Sequence, residues 1–346
     1  MGESEPRTAN ILSIDHEAHD AFWEDIESDL INYPHFESFP LRYLGAFQIP
    51  TGYQNYTVEN LLPLAYMKYN PLFRSRTLIP VVADGLPYVY SERPEWYYNT
   101  ERQGFKIPRT VKNFYLKEMR RGLNIIDGAI VISPILKEYL SDLYDGAIEV
   151  CPPSISENKV EFLENIEPSE EPAVFSVVRN SEWKGLDLLL EAFEIAREEI
   201  PDLELNLKIG DALYNRYEEK LQDDSINLHR EWLEPEDYVN LFSENKIYVQ
   251  SSYFEAHGFA VTESMAAGLT PLVTEKVGSK HLFEEEFPEL IREQSAEDLA
   301  EGIVEQINLD QEEKKRRSEV LRDRSKEVYP KAVKKKFRQS FQNLTE

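Results

Sequence analysis

Short apolar runs rich in β-branched residues alternate with amphipathic helical segments along most of this sequence. The clearest runs are residues 173–178, 203–209, 246–250 and 270–274, and a helical segment at 259–267 separates the last two. Strands that alternate with helices form parallel sheets covered on both faces. At 346 residues, the chain is long enough for two such domains. The pattern therefore predicts an α/β protein with two Rossmann-like parallel-sheet domains facing a cleft.

The first half of the chain carries the same alternation in a weaker form. Strands are predicted at 10–14, 77–83, 128–132 and 147–151, and helices at 18–30 and 134–143. The stretch 161–172 is acidic and has few periodic apolar positions, so it is predicted to connect the domains. This gives an N-terminal domain over 1–160 and a C-terminal domain over 173–328. A last helix within 329–346 is expected to pack back on the N-terminal domain.

The charge of the chain is strongly negative, with 38 basic and 64 acidic side chains and a net charge of −26. Such a surface disfavours binding to nucleic acid, and it fits either an ordinary solvated surface or adaptation to high salt. Cys151 is the only cysteine, which excludes an intramolecular disulfide and suits a reducing compartment. Residues 1–10 are polar, unlike a secretory signal, and no apolar run reaches the roughly 20 residues of a transmembrane helix. A cytoplasmic location is expected.

Basic residues concentrate at the end of the chain, where residues 311–346 hold 12 basic and 6 acidic side chains. Such a segment can bind anionic lipid, which would place the protein peripherally at the inner face of the cell membrane. Alternatively, the last helix packs Val333, Phe337 and Phe341 against the N-terminal domain and leaves its lysines solvated. The sequence leaves both interpretations open.

Two cations flank the loop that follows the predicted strand 173–178. Arg179 comes first, and Lys184 follows five residues later. A guanidinium group forks onto phosphate oxygens and an ammonium group adds a point charge, so the pair fits a phosphate-binding loop at the carboxyl edge of a sheet. Two solvated surface charges are the alternative.

A second set of candidate residues follows the predicted strand 246–250. Gly258 directly precedes the helical segment, so the amides of Gly258 and Phe259 can approach an anion closely. Glu255 lies in the loop before that helix and Glu263 about one turn inside it. Both can face one ligand, with Glu263 placed to accept hydrogen bonds from vicinal hydroxyls. Two unrelated surface acids are the alternative.

Taken together, these motifs resemble those of the retaining nucleotide-sugar glycosyltransferases of family 4, also called glycosyl transferases group 1, which have the GT-B fold. The family pattern of an arginine followed by Lys-Gly is met by Arg179 and Lys184-Gly185. Its E-x7-E motif is met by Glu255 and Glu263. The presence of both motifs in this order is more specific than either motif alone.

The resemblance implies a reaction and a role for each residue. The reaction is retaining transfer of a hexosyl group from a nucleotide-diphosphate sugar to a saccharide or lipid-linked acceptor, with no metal and no other cofactor. Glu255 would contact the transferred sugar, and Glu263 would hold the donor ribose. The donor diphosphate would be bound by four groups, namely Arg179, Lys184 and the amides of Gly258 and Phe259.

The chain departs from the family pattern in its first half. The family's frequent histidine after the strand 77–83 is replaced by Asp84, and the glycine-rich loop after the first strand is missing, where His16 stands instead. Asp84, and after it His16, are the candidates for contact with the reacting sugar. His16 and His19 with their acidic neighbours are not predicted to bind a metal, because acids at a helix start are favoured by the dipole alone.

Two alternative functions stay open. The missing glycine-rich loop is compatible with a catalytically weak GT-B protein that serves as a nucleotide-sugar-binding or partner subunit. A sugar-nucleotide epimerase of the same fold is the other alternative. Turnover of the donor at ordinary rates would exclude the first, and product analysis would separate the second from a transferase.

Overall fold

The computed structural model of the chain divides into two compact units. The first comprises Met1–Pro153 with Val333–Glu346, and the second comprises Ser154–Ala332. The structure describes residues 8–12, 28–32, 49–50, 52–59, 61, 64, 67, 70–83, 113, 117–118, 120–178, 182–231 and 233–346.

The first unit contains a parallel sheet whose described strands follow the order β2-β1-β3-β4-β5-β6. The strands are β1 (Thr8–Leu12), β2 (Ser28–Asn32), β3 (Asn55–Glu59), β4 (Thr77–Val82), β5 (Ala129–Val131) and β6 (Ile148–Val150), and helix α1 (Pro134–Ser141) connects the last two. The predicted strands at 77–83, 128–132 and 147–151 and the helix at 134–143 are confirmed. β3 was not predicted, although its five residues Asn-Tyr-Thr-Val-Glu alternate between polar and apolar as in a strand.

β1 lies two residues earlier than the predicted strand at 10–14, because polar side chains are buried in it. The side chain of Asn10 is fully buried, accepts a hydrogen bond from Thr57 on β3 and donates one to Ser28 on β2. These partners offset the desolvation cost that makes polar residues rare in sheet cores. The polar start of this strand therefore has a packing reason that the hydrophobic pattern does not contain.

The predicted helix at 18–30 is wrong at its C-terminal end. Residues Ser28–Asn32 form β2, which pairs in parallel with β1 so that Thr8 lies opposite Ser28. A short run such as Ser-Asp-Leu-Ile-Asn is ambiguous by periodicity, and the hydrogen-bond ladder of the neighbouring strand decides its conformation. The remainder of that prediction, residues 18–27, lies outside the described residues.

The second unit contains a parallel sheet in the order β12-β11-β10-β7-β8-β9. Its strands are β7 (Ala173–Val178), β8 (Glu204–Ile209), β9 (Ile226–His229), β10 (Ile247–Gln250), β11 (Thr270–Thr274) and β12 (Ile291–Arg292). Its helices are α2 (Glu157–Glu164), α3 (Leu186–Glu199), α4 (Asp211–Tyr217), α5 (Pro235–Ser243), α6 (Phe259–Ala267), α7 (Ala296–Ile307) and α8 (Gln311–Ser325). The four strands and the helix predicted here are confirmed, and so is the α/β class.

The stretch 161–172, predicted to connect the domains, begins inside a helix. α2 packs against α5 and α6, and its Leu163 is fully buried. The division between the units accordingly falls after Pro153 and not at 161–172. A helix of eight residues is unstable on its own, so tertiary packing stabilises α2. Those partners lie far along the chain, which is why the local sequence does not reveal the helix.

The last helix, α9 (Pro330–Thr345), belongs to the first unit from Val333 onward. Ser340 and Asn343 donate hydrogen bonds to the carboxylate of Glu149 in β6, at 3.5 and 3.3 Å. The apolar stripe of this helix is buried, as Val333, Phe337 and Phe341 show. The burial of this stripe explains why the helix joins the first unit although the chain reaches it from the second.

The basic residues near the end of the chain differ in their surroundings. Within 311–326, several cations form ion pairs: Lys314 with Glu170, Arg316 with Glu313, Arg317 with Glu289, Arg324 with Glu286, and Lys326 with Asp323. On α9, Lys331, Lys335, Lys336 and Arg338 are exposed. Within the described ranges, no helix is both long and apolar enough to cross a membrane. Contact with a membrane surface stays a prediction, and it would involve the exposed cations of α9.

Candidate active site

The strand order of the second sheet determines which loops meet. From β7 the chain proceeds through β8 and β9 on one side of the sheet, and then through β10, β11 and β12 on the other. β7 and β10 are therefore neighbours from which the connections run in opposite directions. Ligands of open parallel sheets bind at the carboxyl ends of such a strand pair. Lys184 follows β7 and Glu255 follows β10, so both motifs start at this position.

Backbone and side-chain hydrogen bonds join the loops after β7 and β10. The hydroxyl of Ser251 donates to the carbonyl of Gly185 at 2.8 Å, and the amide of Tyr253 donates to the carbonyl of Trp183 at 2.8 Å. This arrangement places the ammonium group of Lys184 in an ion pair with Glu255, and both side chains are largely buried. The lysine of one motif thus contacts the first carboxylate of the other.

Gly185 is required by the close approach of these two loops. Its φ is +65°, and a Cβ at this position would lie 2.0 Å from the carbonyl oxygen of Ser251. A left-handed φ is strained for residues with a Cβ, and the neighbouring atom is backbone, which cannot rotate away. The Lys-Gly sequence of the motif therefore has a structural reason: the glycine brings the lysine's loop against the β10 loop.

Backbone hydrogen bonds to the loop after β11 hold Glu255 in position. The amide of Glu255 donates to the carbonyl of Lys276 at 3.0 Å, and its carbonyl accepts from the amide of Gly278 at 2.9 Å. Gly258, with a φ of +96°, then turns the chain into α6. The first amides of a helix carry partial positive charge and favour an anion. Glu255 and the N-terminus of α6 are consequently fixed side by side.

Glu263 lies on α6 and is held by two other helices. Its side chain is 6% exposed. Lys159 of α2 donates to its Oε1 at 2.7 Å, and the hydroxyl of Tyr238 of α5 donates to its Oε2 at 2.9 Å. The ammonium group of Lys159 also lies 4.8 Å from the centre of the Tyr238 ring. Glu263 is therefore not a surface acid, and its charge is paired.

A single arginine joins the helices that carry Lys159 and Glu263. Arg322 of α8 donates to the last carbonyls of α6, at Ala266 and Ala267, with distances of 2.7 Å each. It also donates to the carbonyls of Glu164 and Ile166 at the end of α2, at 3.1 and 2.6 Å. A cation is favourable at helix C-termini, and the fork of the guanidinium reaches both helices. The relative position of α2 and α6 is set in this way.

A buried tyrosine, Tyr248, is affected by the charges of both glutamates. Burial raises the pKa of Tyr248 well above its ordinary value, and the negative charges of Glu255 and Glu263 add to the effect. Its hydroxyl donates to Gln250 at 2.6 Å, and the amide of Gln250 donates to Ser252 at 2.6 Å. Tyr248 thus stays neutral, and the chain of hydrogen bonds fixes the start of the β10 loop.

The structure brings together most of the residues predicted for the second unit. Lys184, Glu255, Gly258, Phe259 and Glu263 occupy the two loops and the helix described above. The remaining predicted residues, Arg179, Asp84 and His16, lie outside the described residues, as does His19. In the described part of the chain, no three His, Cys, Asp or Glu side chains gather as metal ligands do. Metal independence itself stays a prediction.

Sequence reasoning missed Lys159, Tyr238 and Arg322. Lys159 lies 104 residues before Glu263 in the chain, and its segment carries no motif. Tyr238 looks like any other aromatic residue of an amphipathic helix. Arg322 was one of the cations considered for membrane contact. No signal in the sequence marks Lys159 or Tyr238, because their contacts with Glu263 depend on how α2 and α5 pack against α6.

Comparison with known families identifies the domain that carries this site. Residues 157–323 match the model of the family named glycosyl transferases group 1. The match lies wholly within the second unit and contains Lys159, Lys184 and both glutamates of the E-x7-E motif. The match covers just under half of the chain and shows that this part of it is similar to that family. No curated protein matches this sequence.

Solved structures similar to this chain have the GT-B fold. Sucrose-phosphate synthase from Thermosynechococcus elongatus superposes with a TM-score of 0.72 at 16% identity, covering 98% of this chain and 99% of that one. HepE of Anabaena in complex with UDP-glucose superposes with a TM-score of 0.71 at 12% identity, and the match covers 98% of this chain and 100% of HepE. A mutant of TarM from S. aureus, in complex with Fondaparinux, alpha-GlcNAc-glycerol and UDP, superposes with a TM-score of 0.60 at 16% identity. The match covers 84% of this chain and 55% of the TarM chain. The predicted GT-B fold class is confirmed by this likeness.

The role of Gly185 gives a prediction about stability. Gly185→Ala places a Cβ against the Ser251 carbonyl and imposes a left-handed φ on alanine. Overpacking costs about 1–3 kcal/mol and the left-handed conformation about 1–2 kcal/mol, so the free energy of unfolding should fall by about 2–5 kcal/mol. Gly52→Ala is the matched control, because a Cβ there meets nothing within 4 Å. Urea unfolding followed by circular dichroism measures both, and equal midpoints for the two variants would contradict this account of the loop contact.

Proposed function

We propose that this chain is a retaining, metal-independent glycosyltransferase of family 4 that moves a hexosyl group from a nucleotide-diphosphate sugar to a saccharide or lipid-linked acceptor. One observation carries the proposal. Both carboxylates of the E-x7-E motif face lysines at the carboxyl edge of the second sheet, where the connections from the parallel strands β7 and β10 run in opposite directions. Cations beside fixed carboxylates and a helix N-terminus suit a ligand with a diphosphate next to hydroxyl groups.

Lys184 is proposed to bind the donor diphosphate together with the amides of Gly258 and Phe259. Its ammonium group forms an ion pair with Glu255, so a diphosphate would compete with that carboxylate for the same cation. A diphosphate carries more negative charge than a carboxylate and is met in addition by the N-terminus of α6. Arg179, directly after β7, would add a second cation. Fixed positive groups of this kind stabilise the departing nucleoside diphosphate, which is the task that a metal performs in other enzymes.

Glu263 and Glu255 are proposed to hold different parts of the donor. The Glu263 carboxylate has lone pairs left after accepting from Lys159 and Tyr238, and vicinal ribose hydroxyls can donate to them. Glu255, released when Lys184 turns to the diphosphate, would accept from hydroxyls of the transferred sugar. Its negative charge would then lie near the carbon at which positive charge develops.

In the proposed reaction, the bonds formed and broken balance without any further reactant. The bond from the anomeric carbon to the diphosphate oxygen breaks, and the acceptor hydroxyl oxygen bonds to that carbon from the same face. The proton of the acceptor hydroxyl passes to the departing phosphate oxygen. This route yields retention and requires no carboxylate nucleophile, which agrees with a motif whose two carboxylates are both occupied by lysines. On the first unit, Asp84 and His16 remain the residues proposed to contact the reacting sugar.

Product stereochemistry tests the proposed reaction. UDP-glucose is the first donor to assay, because HepE, which is similar in fold, is seen in complex with UDP-glucose. A wider set of UDP, GDP and ADP sugars with saccharide acceptors follows, with product configuration read by proton NMR. The α-linked donor should give an α-linked product, and EDTA should leave the rate unchanged. A β-linked product, or loss of turnover in EDTA, would contradict the proposal, and a free epimer would favour the epimerase alternative.

Kinetics of site variants test the roles of the residues. Glu255→Gln should lower kcat by about 10²–10³-fold with little change in donor KM, because its contact strengthens in the transition state. Glu263→Gln should raise donor KM by about 10–100-fold and leave kcat nearly unchanged, because a ribose contact stabilises the ground state and the transition state equally. Lys184→Met should impair both parameters.

Glu301→Ala on α7 is the matched control, since this glutamate is exposed and far along the chain from the motif. It should stay within about twofold of the wild type. Circular dichroism confirms that each variant is folded. A folded Glu255→Gln variant with wild-type kcat would refute the role of Glu255, and an unchanged donor KM in Glu263→Gln would refute the ribose contact.

A further inference from the structure

The carboxylate of Glu263 is held at both oxygens by side chains outside the E-x7-E motif. Lys159 binds Oε1 at 2.7 Å and Tyr238 binds Oε2 at 2.9 Å. The two donors come from α2 and α5, so three helices meet at one carboxylate. With one donor on each oxygen, the carboxylate cannot rotate about its last bond without losing one of the two hydrogen bonds. Its remaining lone pairs therefore point in fixed directions.

Rigid neighbours hold both donors in place. The Tyr238 ring packs edge-on against Phe242 and Phe175, with ring centres 5.6 and 6.4 Å apart. Lys159 lies over the same tyrosine ring, and its helix is joined to the motif helix through Arg322. Preorganisation of this kind matters where a ligand presents two hydroxyls at a fixed spacing, because each misdirected lone pair forfeits one hydrogen bond.

We infer that Lys159 and Tyr238 are positioning residues that aim the Glu263 carboxylate at both hydroxyls of a ribose and so make the site selective for ribonucleotides. The inference rests on the proposed function, since it assigns a specificity to the same nucleotide-binding position. A carboxylate held in this orientation accepts from the 2′- and 3′-hydroxyls at once. A ligand that lacks either hydroxyl leaves one oxygen with an unused, partly desolvated lone pair, which lowers its affinity.

Calorimetric titration of the full chain with nucleoside diphosphates tests the inference. The probes are UDP, 2′-deoxy-UDP and 3′-deoxy-UDP, with ADP and GDP to cover a different base preference. Wild-type protein should bind the ribonucleotide at least about tenfold more tightly than either deoxy form, the scale of one hydrogen bond to a charged group. Lys159→Met and Tyr238→Phe should reduce this ratio to about two- to threefold. Lys159→Arg, which keeps a donor, should retain most of it.

Two controls separate positioning from general stability. Lys314→Met removes a lysine of matched exposure: the Lys314 side chain is 21% exposed and that of Lys159 is 23% exposed. The carboxylate partner of Lys314 is Glu170, which lies outside the site. It should keep the wild-type ratio. The double variant Lys159→Met/Glu263→Gln should have the same ratio of ribonucleotide to deoxynucleotide affinity as Glu263→Gln alone, because a positioning residue acts through the group it positions. In steady-state assays, Lys159→Met should raise donor KM and leave kcat within about twofold.

The outcomes distinguish this inference from the proposed function. If the wild-type chain binds none of UDP, ADP and GDP, the proposed function fails and the inference fails with it. If it binds one of them and the Lys159→Met and Tyr238→Phe variants keep the full ribose discrimination, the inference alone is overturned. Melting temperatures identify any variant that is misfolded. Tyr238→Phe then carries the test, because it deletes only a hydroxyl and keeps the ring packing.

Discussion

A parallel strand order forces the loops after β7 and β10 to lie side by side, and the rest of the candidate site depends on that constraint. All strands of the second sheet point the same way, so their following loops gather at one edge. The two central strands lead to connections that run in opposite directions, which leaves their loops uncovered by a crossover helix. Gly185 then allows the two loops to touch, and this contact brings Lys184 to Glu255.

The charges of the site are balanced in two ion pairs. Each carboxylate of the E-x7-E motif has its own lysine, although the chain as a whole carries an excess of acid. The two pairs differ in what surrounds them. The Lys159–Glu263 pair is reinforced by Tyr238 and by helices joined through Arg322, which suits a contact that stays constant during a reaction. The Lys184–Glu255 pair lies on loops beside a helix N-terminus, where the proposed diphosphate would compete with Glu255 for the lysine.

Local pattern predicts those parts of the structure whose cause is local. The bounds of β7, α6 and β11 follow from short, mainly apolar runs and from glycines that flank the helix, and the structure confirms them residue for residue. The polar strand β1 and the short helix α2 owe their conformation to distant partners, so periodicity misplaces the first and misses the second. The motif residues could be named from spacing alone. Lys159 could not, because its only link to Glu263 is a contact between helices separated by 104 residues.

In the proposed function, Lys184 would exchange a carboxylate for a diphosphate, while Glu263 would keep its two donors and gain a ribose. A crystal structure of the full chain soaked with UDP, compared with the ligand-free crystal, tests it most directly. The account predicts the phosphates at Lys184 and at the Gly258 and Phe259 amides, both ribose hydroxyls on Glu263, and Glu255 separated from Lys184. UDP bound elsewhere on the chain, or bound here with the Lys184–Glu255 pair intact and the ribose away from Glu263, would contradict it.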